Sequence, residues 1–326
     1  MQGAGPSVAV IGCGYWGKNI VRNFAGLGAL AAVNDPFPAN AEAMSRQFSV
    51  PAFPFDAILA DPSIRGVAIA APAPLHADIA LQCLDAGKHV FVEKPIALSL
   101  ADADRMIARA AARDRLLMVG HLLNYHPAFL KVAQMVADGT VGPLRRLYSN
   151  RLSLGKVRTD ENVLWSFAPH DVSMILRLAG NRLPVEVDAT GAACLGAGIA
   201  DFAHAHMTFD DGLTAHVFVS WLNPFKEQKL VVVGATGMLV FDDTLPAAQK
   251  VALFRHAVSI ENGVPRVSKA DAEFVAFDEG EPLRNECQAF LDGMDDPATI
   301  VTDGAEGRRV LDVLSRAEAA MAAKVK

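Results

Sequence analysis

The chain has 326 residues, a hydrophobic fraction of 52% and a formal net charge of −6. It is long enough for two domains with substantial cores, and the scatter of both charge signs argues against nucleic acid or an anionic membrane as the main partner. Four cysteines stand far apart without metal-type spacing, and the sequence shows no basic leader or long apolar stretch. We therefore expect a cytoplasmic protein in a reducing compartment, with no membrane span and no bound metal.

A glycine-rich turn follows the first predicted strand. Residues 7–11 form a short apolar run, the sequence G-C-G-Y-W-G occupies positions 12–17, and a helical pattern comes directly after it. Strand, glycine turn and helix in this order are typical of a dinucleotide site, in which the backbone approaches a pyrophosphate at the helix N-terminus. The residues that we expect to contact a cofactor here are Gly12, Gly14, Tyr15, Trp16 and Gly17.

An acid ends the next predicted strand, which covers residues 29–35. Asp35 at this place can accept hydrogen bonds from an adenosine ribose, and its charge would repel a 2′-phosphate. The sequence therefore favours NAD over NADP as the cofactor. The alternative is a turn acid that contacts no ligand.

Helices and strands then alternate to about residue 120. The pattern predicts helices over residues 40–48, 56–60, 76–86 and 100–113, and strands over residues 66–71, 90–92 and 116–120. This alternation indicates an α/β Rossmann domain over residues 1–120, with a parallel sheet and helices on both faces. Because ligands bind beyond the carboxyl ends of such strands, we add Ala71, His76 and Glu93 to the expected cofactor contacts. For His76 the alternative is a residue that only starts a helix.

The segment G-K-H-V-F-V-E-K-P at residues 87–95 places a lysine just past the end of a buried strand. A lysine that is partly withdrawn from water has a lowered pKa, which suits an amine that exchanges protons with an alcohol near neutral pH. Pro95 restricts the backbone before it and so gives the side chain of Lys94 a defined direction. We interpret Lys94 as the reactive group, with a solvated surface lysine as the alternative.

The regular alternation of predicted helices and strands ends after residue 120. A polar, aromatic connector at residues 121–127 contains Asn124, which we expect to line the substrate cleft. The pattern then predicts a helix over residues 128–137 and strands over residues 144–153, 185–194, 201–209, 213–221, 229–233 and 238–241. Residues 121–326 are therefore expected to form an α+β domain for substrate binding and oligomerisation, with a large, mostly antiparallel open sheet. Asp211-Gly212 predicts a hairpin between two of these strands. Two helices, at residues 283–291 and 305–322, close the chain, and packing of these helices back on the first domain is left open.

His204 and His206 share one face of a predicted strand, and His216 is expected opposite them. A metal site is one interpretation, but no carboxylate or thiolate stands at ligand spacing, so a packed or subunit-facing surface is favoured. A sheet face without covering helices must be buried elsewhere. We therefore expect association of subunits through this face, as a homodimer or homotetramer.

Two basic residues and an aromatic residue in the following loop are candidate substrate contacts. Lys156 and Arg158 form the best local positive pair for a diphosphate, and solvated loop charges are the alternative. Trp165 follows shortly after them.

His170 and Asp171 precede a helix predicted over residues 172–178. An imidazole at a helix start can hydrogen-bond a substrate hydroxyl or relay a proton, so we interpret His170 as a catalytic and substrate-binding residue. Asp171 either caps the helix or contacts the substrate and takes part in the chemistry.

The motifs G-x-G-Y-W-G, A-G-K-H-V-F-V-E-K-P and A-P-H-D, in this order and spacing, resemble the Gfo/Idh/MocA family of oxidoreductases. The resemblance implies a nicotinamide-dependent Rossmann domain and a large open sheet that forms subunit contacts. It also implies that the motif lysine is Lys94 and the motif histidine is His170. Many members carry an aspartate four positions before that histidine, where this chain has Ser166. Lys94 and His170 must then carry out the proton transfer alone or with Asp171.

Within the family, the segments R-L-S-L-G-K-V-R-T-D-E-N-V-L-W and S-W-L-N-P-F-K are similar to the branch that oxidises the 3-hydroxyl of UDP-N-acetylglucosamine before an aminotransferase acts. This likeness predicts an NAD-dependent dehydrogenase of a nucleotide-linked sugar. The first alternative is a dehydrogenase or reductase of a free sugar, polyol or keto sugar. The second is an NAD-binding sensor or subunit without turnover.

Overall fold

The computed structural model describes residues 7–155, 157–159, 161–196 and 198–324. They divide into two compact units. One contains the chain up to Tyr125 together with Gly280–Leu311, and the other contains His126–Glu279 together with the residues from Asp312 onward. Within the described residues, no helix combines the length and apolar character that a membrane crossing requires.

The helices and strands are numbered in chain order. The helices are α1 (Gly17–Gly26), α2 (Pro38–Phe48), α3 (Phe55–Ala60), α4 (His76–Asp85), α5 (Leu100–Arg113), α6 (Pro127–Ala137), α7 (Val163–Leu178), α8 (Pro282–Gly293) and α9 (Gly304–Lys324). The strands are β1 (Val8–Ile11), β2 (Leu30–Asn34), β3 (Gly66–Ile69), β4 (His89–Glu93), β5 (Leu117–Gly120), β6 (Leu144–Leu154), β7 (Glu186–Ala192), β8 (Phe202–Thr208), β9 (Thr214–Ser220), β10 (Leu222–Gly234), β11 (Met238–Asp242), β12 (Val251–Phe254), β13 (Ala257–Glu261), β14 (Val264–Ser268) and β15 (Ala272–Phe274).

The first unit is built on a five-stranded parallel sheet with the order β2-β1-β3-β4-β5. Strands β1, β3 and β5 are apolar and buried throughout, as parallel strands covered by helices require. On one face, residues of α1 and α8 such as Phe24 and Phe290 pack in a common core with Phe91 and Met118 of the sheet. Helices α4 and α5 pack on each other and on β3, β4 and β5. The predicted Rossmann fold is confirmed.

The second unit contains an eight-stranded sheet with the order β15-β12-β11-β10-β6-β9-β8-β7. Neighbouring strands are antiparallel except for β6 and β9, which pair in parallel. Gly212 has φ +85° in the turn that joins β8 to β9, a conformation that favours glycine and confirms the hairpin. Strands β12 and β15 at one edge and the separate β13–β14 hairpin were not predicted.

Helix α7 corrects one prediction. It begins at Val163, not at residue 172, because the Asn162 side chain accepts hydrogen bonds from the backbone N–H groups of Leu164 and Trp165. Pro169 lies inside the helix rather than before it. His170 and Asp171 are therefore interior helix residues, and the interpretation of Asp171 as a helix cap is wrong.

Candidate active site

The glycine turn after β1 is shaped by two close backbone approaches. Gly12 has φ +92°, and a Cβ atom there would lie 2.6 Å from the carbonyl oxygen of Ala70. A Cβ atom at Gly17 would lie only 1.9 Å from the Gly12 carbonyl oxygen. A Cβ atom at Gly14, by contrast, would meet no heavy atom of the described residues within 4 Å. The first and third glycines let the turn close, and the second leaves its outer surface open.

Helix α1 begins directly on this turn. Its N-cap, Trp16, makes no side-chain capping bond in the described structure, and the first helical turn carries no acid. The N–H groups and the positive end of the helix dipole are therefore left for a ligand. Tyr15, which is 86% exposed, stands beside them. An open glycine cradle at an uncapped helix N-terminus fits the pyrophosphate of a dinucleotide.

Asp35 is fixed beside the same turn. One carboxylate oxygen, Oδ2, accepts the backbone N–H of Cys13 at 2.7 Å, and Oδ1 accepts that of Phe37 at 2.9 Å. The Asn40 side chain adds a third bond at 3.2 Å. Burial, together with the Asp35 charge, raises the pKa of the Cys13 thiol to about 12, so that this cysteine stays neutral. The carboxylate is thus pre-oriented at the end of β2, where a ribose is expected.

Glu93 connects the glycine turn to the strand end that carries Lys94. Its buried carboxylate accepts Trp16 Nε1–H at 2.6 Å and the backbone N–H of Lys94 at 3.2 Å. It also packs flat on Gly120, where a Cβ atom would lie 3.1 Å from both carboxylate oxygens. Burial raises the pKa of Glu93, and the Trp16 hydrogen bond opposes this effect. Glu93 therefore holds the turn and the Lys94 backbone.

His76 faces the protein backbone. Its ring is 1% exposed, Nδ1 lies 2.8 Å from the carbonyl oxygen of Pro95, and Nε2 lies 2.9 Å from that of Ala71. Burial lowers the pKa of His76. Both ring nitrogens are occupied by these backbone contacts, so the expectation that His76 touches the cofactor is not supported by its position. Lys94 itself is half-buried between Glu93 and Pro95.

In the second unit, Asp171 is fully buried in an ion pair. Arg151 donates to it through Nε at 2.6 Å and Nη2 at 3.2 Å, and Ser149 Oγ donates at 2.5 Å. These bonds tie α7 to β6. Because the carboxylate is 0% exposed and already has these donors, the expected substrate contact at Asp171 is corrected to an internal one.

The other candidates of the second unit are more accessible. His170 and Trp165 are half-buried on α7, and Ser166 lies buried one helical turn before His170. Arg158 forms an ion pair with Glu161 at 2.9 Å, so its charge is partly compensated. Lys156 lies outside the described residues. Asn124 belongs to the first unit and is buried.

Comparison with known proteins decides the family. Residues 7–121 match the group described as "Oxidoreductase family, NAD-binding Rossmann fold", and residues 129–240 match "GFO/IDH/MocA C-terminal domain". The chain belongs to the GFO/IDH/MocA oxidoreductase family. The resemblance drawn from the glycine turn, the Lys94 segment and the His170 segment is thus confirmed.

Known GFO/IDH/MocA proteins match along almost the whole chain. The UDP-N-acetylglucosamine 3-dehydrogenase of Acidithiobacillus ferrooxidans is 30% identical over 309 residues, which cover 93% of each protein. Its solved structure has a TM-score of 0.86 at 28% identity and 97% coverage of both chains. The inositol 2-dehydrogenase of Rhizobium meliloti is 25% identical over 97% of this chain and 96% of that protein. GenD2 from gentamicin A biosynthesis, solved with NAD, is 22% identical over 99% of this chain and 95% of its own, and its TM-score of 0.83 shows the fold alone.

The open face of the GFO/IDH/MocA C-terminal sheet carries stacked aromatic and histidine rings. His204 stacks on Phe218 with ring centroids 4.0 Å apart, and His216 stacks on Tyr148 at 5.2 Å. A shallow depression of about 320 Å³ lies beside the three histidines His204, His206 and His216. Among the described residues, no three His, Cys, Asp or Glu side chains are grouped so that they could hold a metal ion.

A buried acidic cluster near Glu93 was missed in the sequence. Glu286 of α8 is fully buried, and its carboxylate oxygens have no hydrogen-bond partner among the described residues. Burial, followed by the charges of Glu93 and Glu306, raises the pKa of Glu286 well above its usual range. Glu306 of α9 contacts Nδ1 of His121 at 2.7 Å. The available signal was an acid among the apolar positions of α8, which face the core.

Proposed function

We propose that this oxidoreductase is an NAD-dependent dehydrogenase that converts a secondary hydroxyl of a nucleotide-linked sugar to a ketone. The proposed reaction is oxidation of the 3-hydroxyl of UDP-N-acetylglucosamine. The observation that carries this choice is the 30% identity, over 93% of both proteins, to a UDP-N-acetylglucosamine 3-dehydrogenase. The likeness to an inositol 2-dehydrogenase over 97% of the chain supports a free polyol or sugar as the second candidate.

The choice of NAD over NADP rests on Asp35. Its carboxylate accepts hydrogen bonds from the backbone N–H groups of Cys13 and Phe37, which fix its orientation at the proposed ribose position. A 2′-phosphate at that place would bring like charges together. The cradle formed by Gly12, Gly14 and Gly17 would hold the pyrophosphate. When bound, the nicotinamide supplies the hydride acceptor.

Lys94 takes the proton in this proposal. As the carbinol carbon loses its hydride, the hydroxyl proton passes to the neutral ε-amine of Lys94, and the C–O single bond becomes the ketone. The Lys94 backbone is fixed by its hydrogen bond to Glu93, which in turn binds Trp16. His170 is proposed as the second group that binds the hydroxyl oxygen and shares the proton, and this role rests on the family resemblance. Such positioning lowers the entropic cost of the reaction.

A second copy of the chain is the proposed partner of the open sheet face. His204 with Phe218 and His216 with Tyr148 form an extended aromatic surface on strands β6, β8 and β9. Half-buried apolar side chains at Val233, Met238, Val240 and Phe254 extend the surface across strands β10, β11 and β12. A broad mixed face of this kind suits an isologous dimer, which can pair again into a tetramer. Sedimentation at micromolar concentration tests this, and a monomer mass would contradict it.

The product of the proposed reaction is a keto sugar, which an aminotransferase can consume in the cytoplasm. The test therefore follows NADH formation from NAD with UDP-N-acetylglucosamine, its uronic acid, free glucose or inositol, with an aminotransferase and glutamate to remove the ketone. NADH from the nucleotide sugars alone is expected. NADH from glucose or inositol alone would instead support the second candidate. NAD that binds without any turnover, in either direction, would favour a sensor.

Replacement of Lys94 by Ala tests the proton acceptor. Turnover should fall by about a hundredfold or more, because a positioned general base contributes about that factor, while the NAD dissociation constant stays unchanged. Lys269→Ala, which removes an exposed lysine of the second unit, is the matched control. Full turnover in Lys94→Ala would remove Lys94 from the mechanism.

A further inference from the structure

One imidazole joins two turns at the carboxyl edge of the parallel sheet. Ala71 lies in the turn that follows β3, and Pro95 lies directly after Lys94 at the end of β4. His76 Nε2 is 2.9 Å from the first carbonyl oxygen, and Nδ1 is 2.8 Å from the second. The ring is buried, so water cannot easily replace it at the buried Pro95 contact.

The two contacts are not chemically equal. A backbone carbonyl oxygen only accepts, and a neutral imidazole has a single N–H to donate. Burial lowers the pKa of His76, so the ring is neutral near pH 7. One nitrogen therefore donates, and the other turns its lone pair towards a carbonyl oxygen. The contact to Pro95 is buried and the contact to Ala71 is only partly buried, and a carbonyl oxygen without a donor costs more where water is excluded. Nδ1 is therefore assigned the donated bond.

We propose that His76 is a positioning residue for Lys94, which it aims by donating Nδ1–H to the carbonyl oxygen of Pro95. Lys94 is then held from both sides along the backbone. Its own N–H is bound by the Glu93 carboxylate at 3.2 Å, and the residue after it is bound by His76. His76 touches neither cofactor nor substrate in this role. The inference rests on the proposed function only for the chemistry that Lys94 performs.

Two amide variants separate the two contacts. The side-chain nitrogen of Asn lies close to the place of histidine Nδ1, whereas that of Gln reaches the place of Nε2. His76→Asn can therefore still donate to Pro95, and His76→Gln can donate only to Ala71. His76→Ala loses both bonds. If His76 only filled space, the Asn and Gln variants would not differ in this way.

The first measurement is the rate at which a small acylating reagent modifies the Lys94 amine, followed by peptide mass spectrometry without substrate. His76→Asn should label within about threefold of the original protein, and His76→Gln and His76→Ala should change the rate by about tenfold. Turnover should follow the same order, with a loss of about 10–100-fold in the Gln variant and an unchanged NAD dissociation constant. His89→Asn is the matched control, because His89 lies at the other end of β4 and accepts the Leu116 N–H at 3.1 Å.

Nitrogen-15 NMR of histidine-labelled wild-type protein covers the case in which the variants do not fold. The expected signal is a neutral ring protonated on Nδ1. An Nε2-protonated ring, equal labelling of Lys94 in the Asn and Gln variants, or rescue by Gln alone would each overturn the proposal. Labelling needs no substrate, so failure of the sugar assay and failure of this proposal are separate results.

Discussion

Replacement of Asp171 by Asn tests whether this acid stabilises the second unit or takes part in the chemistry. The carboxylate is fully buried and receives bonds from Arg151 and Ser149. Asn keeps the shape and one acceptor oxygen but removes the negative charge. The guanidinium of Arg151, only 12% exposed, is then left without its counter-charge.

The expected cost follows from that burial. Removal of one partner of a buried ion pair costs about 3–5 kcal/mol, and Asn should lie near the lower value because it keeps a hydrogen bond. A unit of this size loses roughly 2–4 °C of Tm per kcal/mol, so 3 kcal/mol predicts a fall of about 6–12 °C. Turnover of the molecules that remain folded should change by less than about tenfold.

Thermal unfolding followed by tryptophan fluorescence measures this in a Trp16→Phe background. Trp165 and Trp221, the remaining tryptophans, both belong to the second unit, so the signal reports that unit. The control is Asp210→Asn, which breaks an exposed pair with Arg182 and should lower Tm by less than about 2 °C.

Equal Tm shifts for Asp171→Asn and Asp210→Asn would refute the argument. A loss of turnover without any loss of stability would return Asp171 to the chemistry. A double variant with Arg151→Met should recover part of the loss, because it removes the unpaired buried charge.

Three further predictions concern the glycine turn, the cofactor and pH. Gly17→Ala should lower both Tm and NAD affinity, because its Cβ would lie 1.9 Å from the Gly12 carbonyl oxygen. Gly14→Ala should affect NAD affinity alone, since its Cβ would meet no heavy atom of the described residues within 4 Å. Melting curves measure the Tm of each variant, and calorimetry measures its NAD affinity. Asp35→Ser should raise the kcat/KM ratio of NADP to NAD by about tenfold or more, since a like charge is removed. Burial lowers the pKa of His216 from 6.5 to about 4. The contribution of the neutral ring to the free energy of unfolding is therefore fully present above pH 6.5 and is lost as the pH falls towards 4. His216→Gln should flatten the decline of Tm over that interval, and an unchanged slope would contradict it.

The fold of the first unit was predictable because each of its signals is local. Apolar runs of strand length, a glycine turn and amphipathic helices alternate, and a parallel sheet is the arrangement that buries them all. Ser99, for example, caps α5 by accepting the Asp102 N–H at 3.1 Å, and the predicted range of that helix matches the structure.

The start of α7 was not predictable by the same rules. Proline usually ends a helix or stands in its first turn, so Pro169 was interpreted as the residue before a helix. In the structure the helix runs through it, because most side chains of α7 are buried and its N-terminus is capped by Asn162. Tertiary packing outweighs the local cost of the proline.

The contacts of Asp171 and of His76 are long-range and left no local signal. The Asp171 ion pair depends on β6 lying beside α7, and the His76 bridge depends on two strand ends lying side by side. Sequence patterns identified these residue types as candidates. They did not show that two of them bind protein groups rather than ligands.

The proline inside α7 has a consequence for how specificity is studied in this protein. Pro169 has no N–H, so the carbonyl oxygen of Trp165, four residues earlier, cannot receive its usual helical donor. That oxygen belongs to the residue before Ser166 and can accept a hydroxyl or amide from elsewhere. An alanine scan would leave this main-chain acceptor in place at every position except one. Only Pro169→Ala, which restores the missing donor, tests whether this main-chain oxygen takes part in the proposed substrate binding.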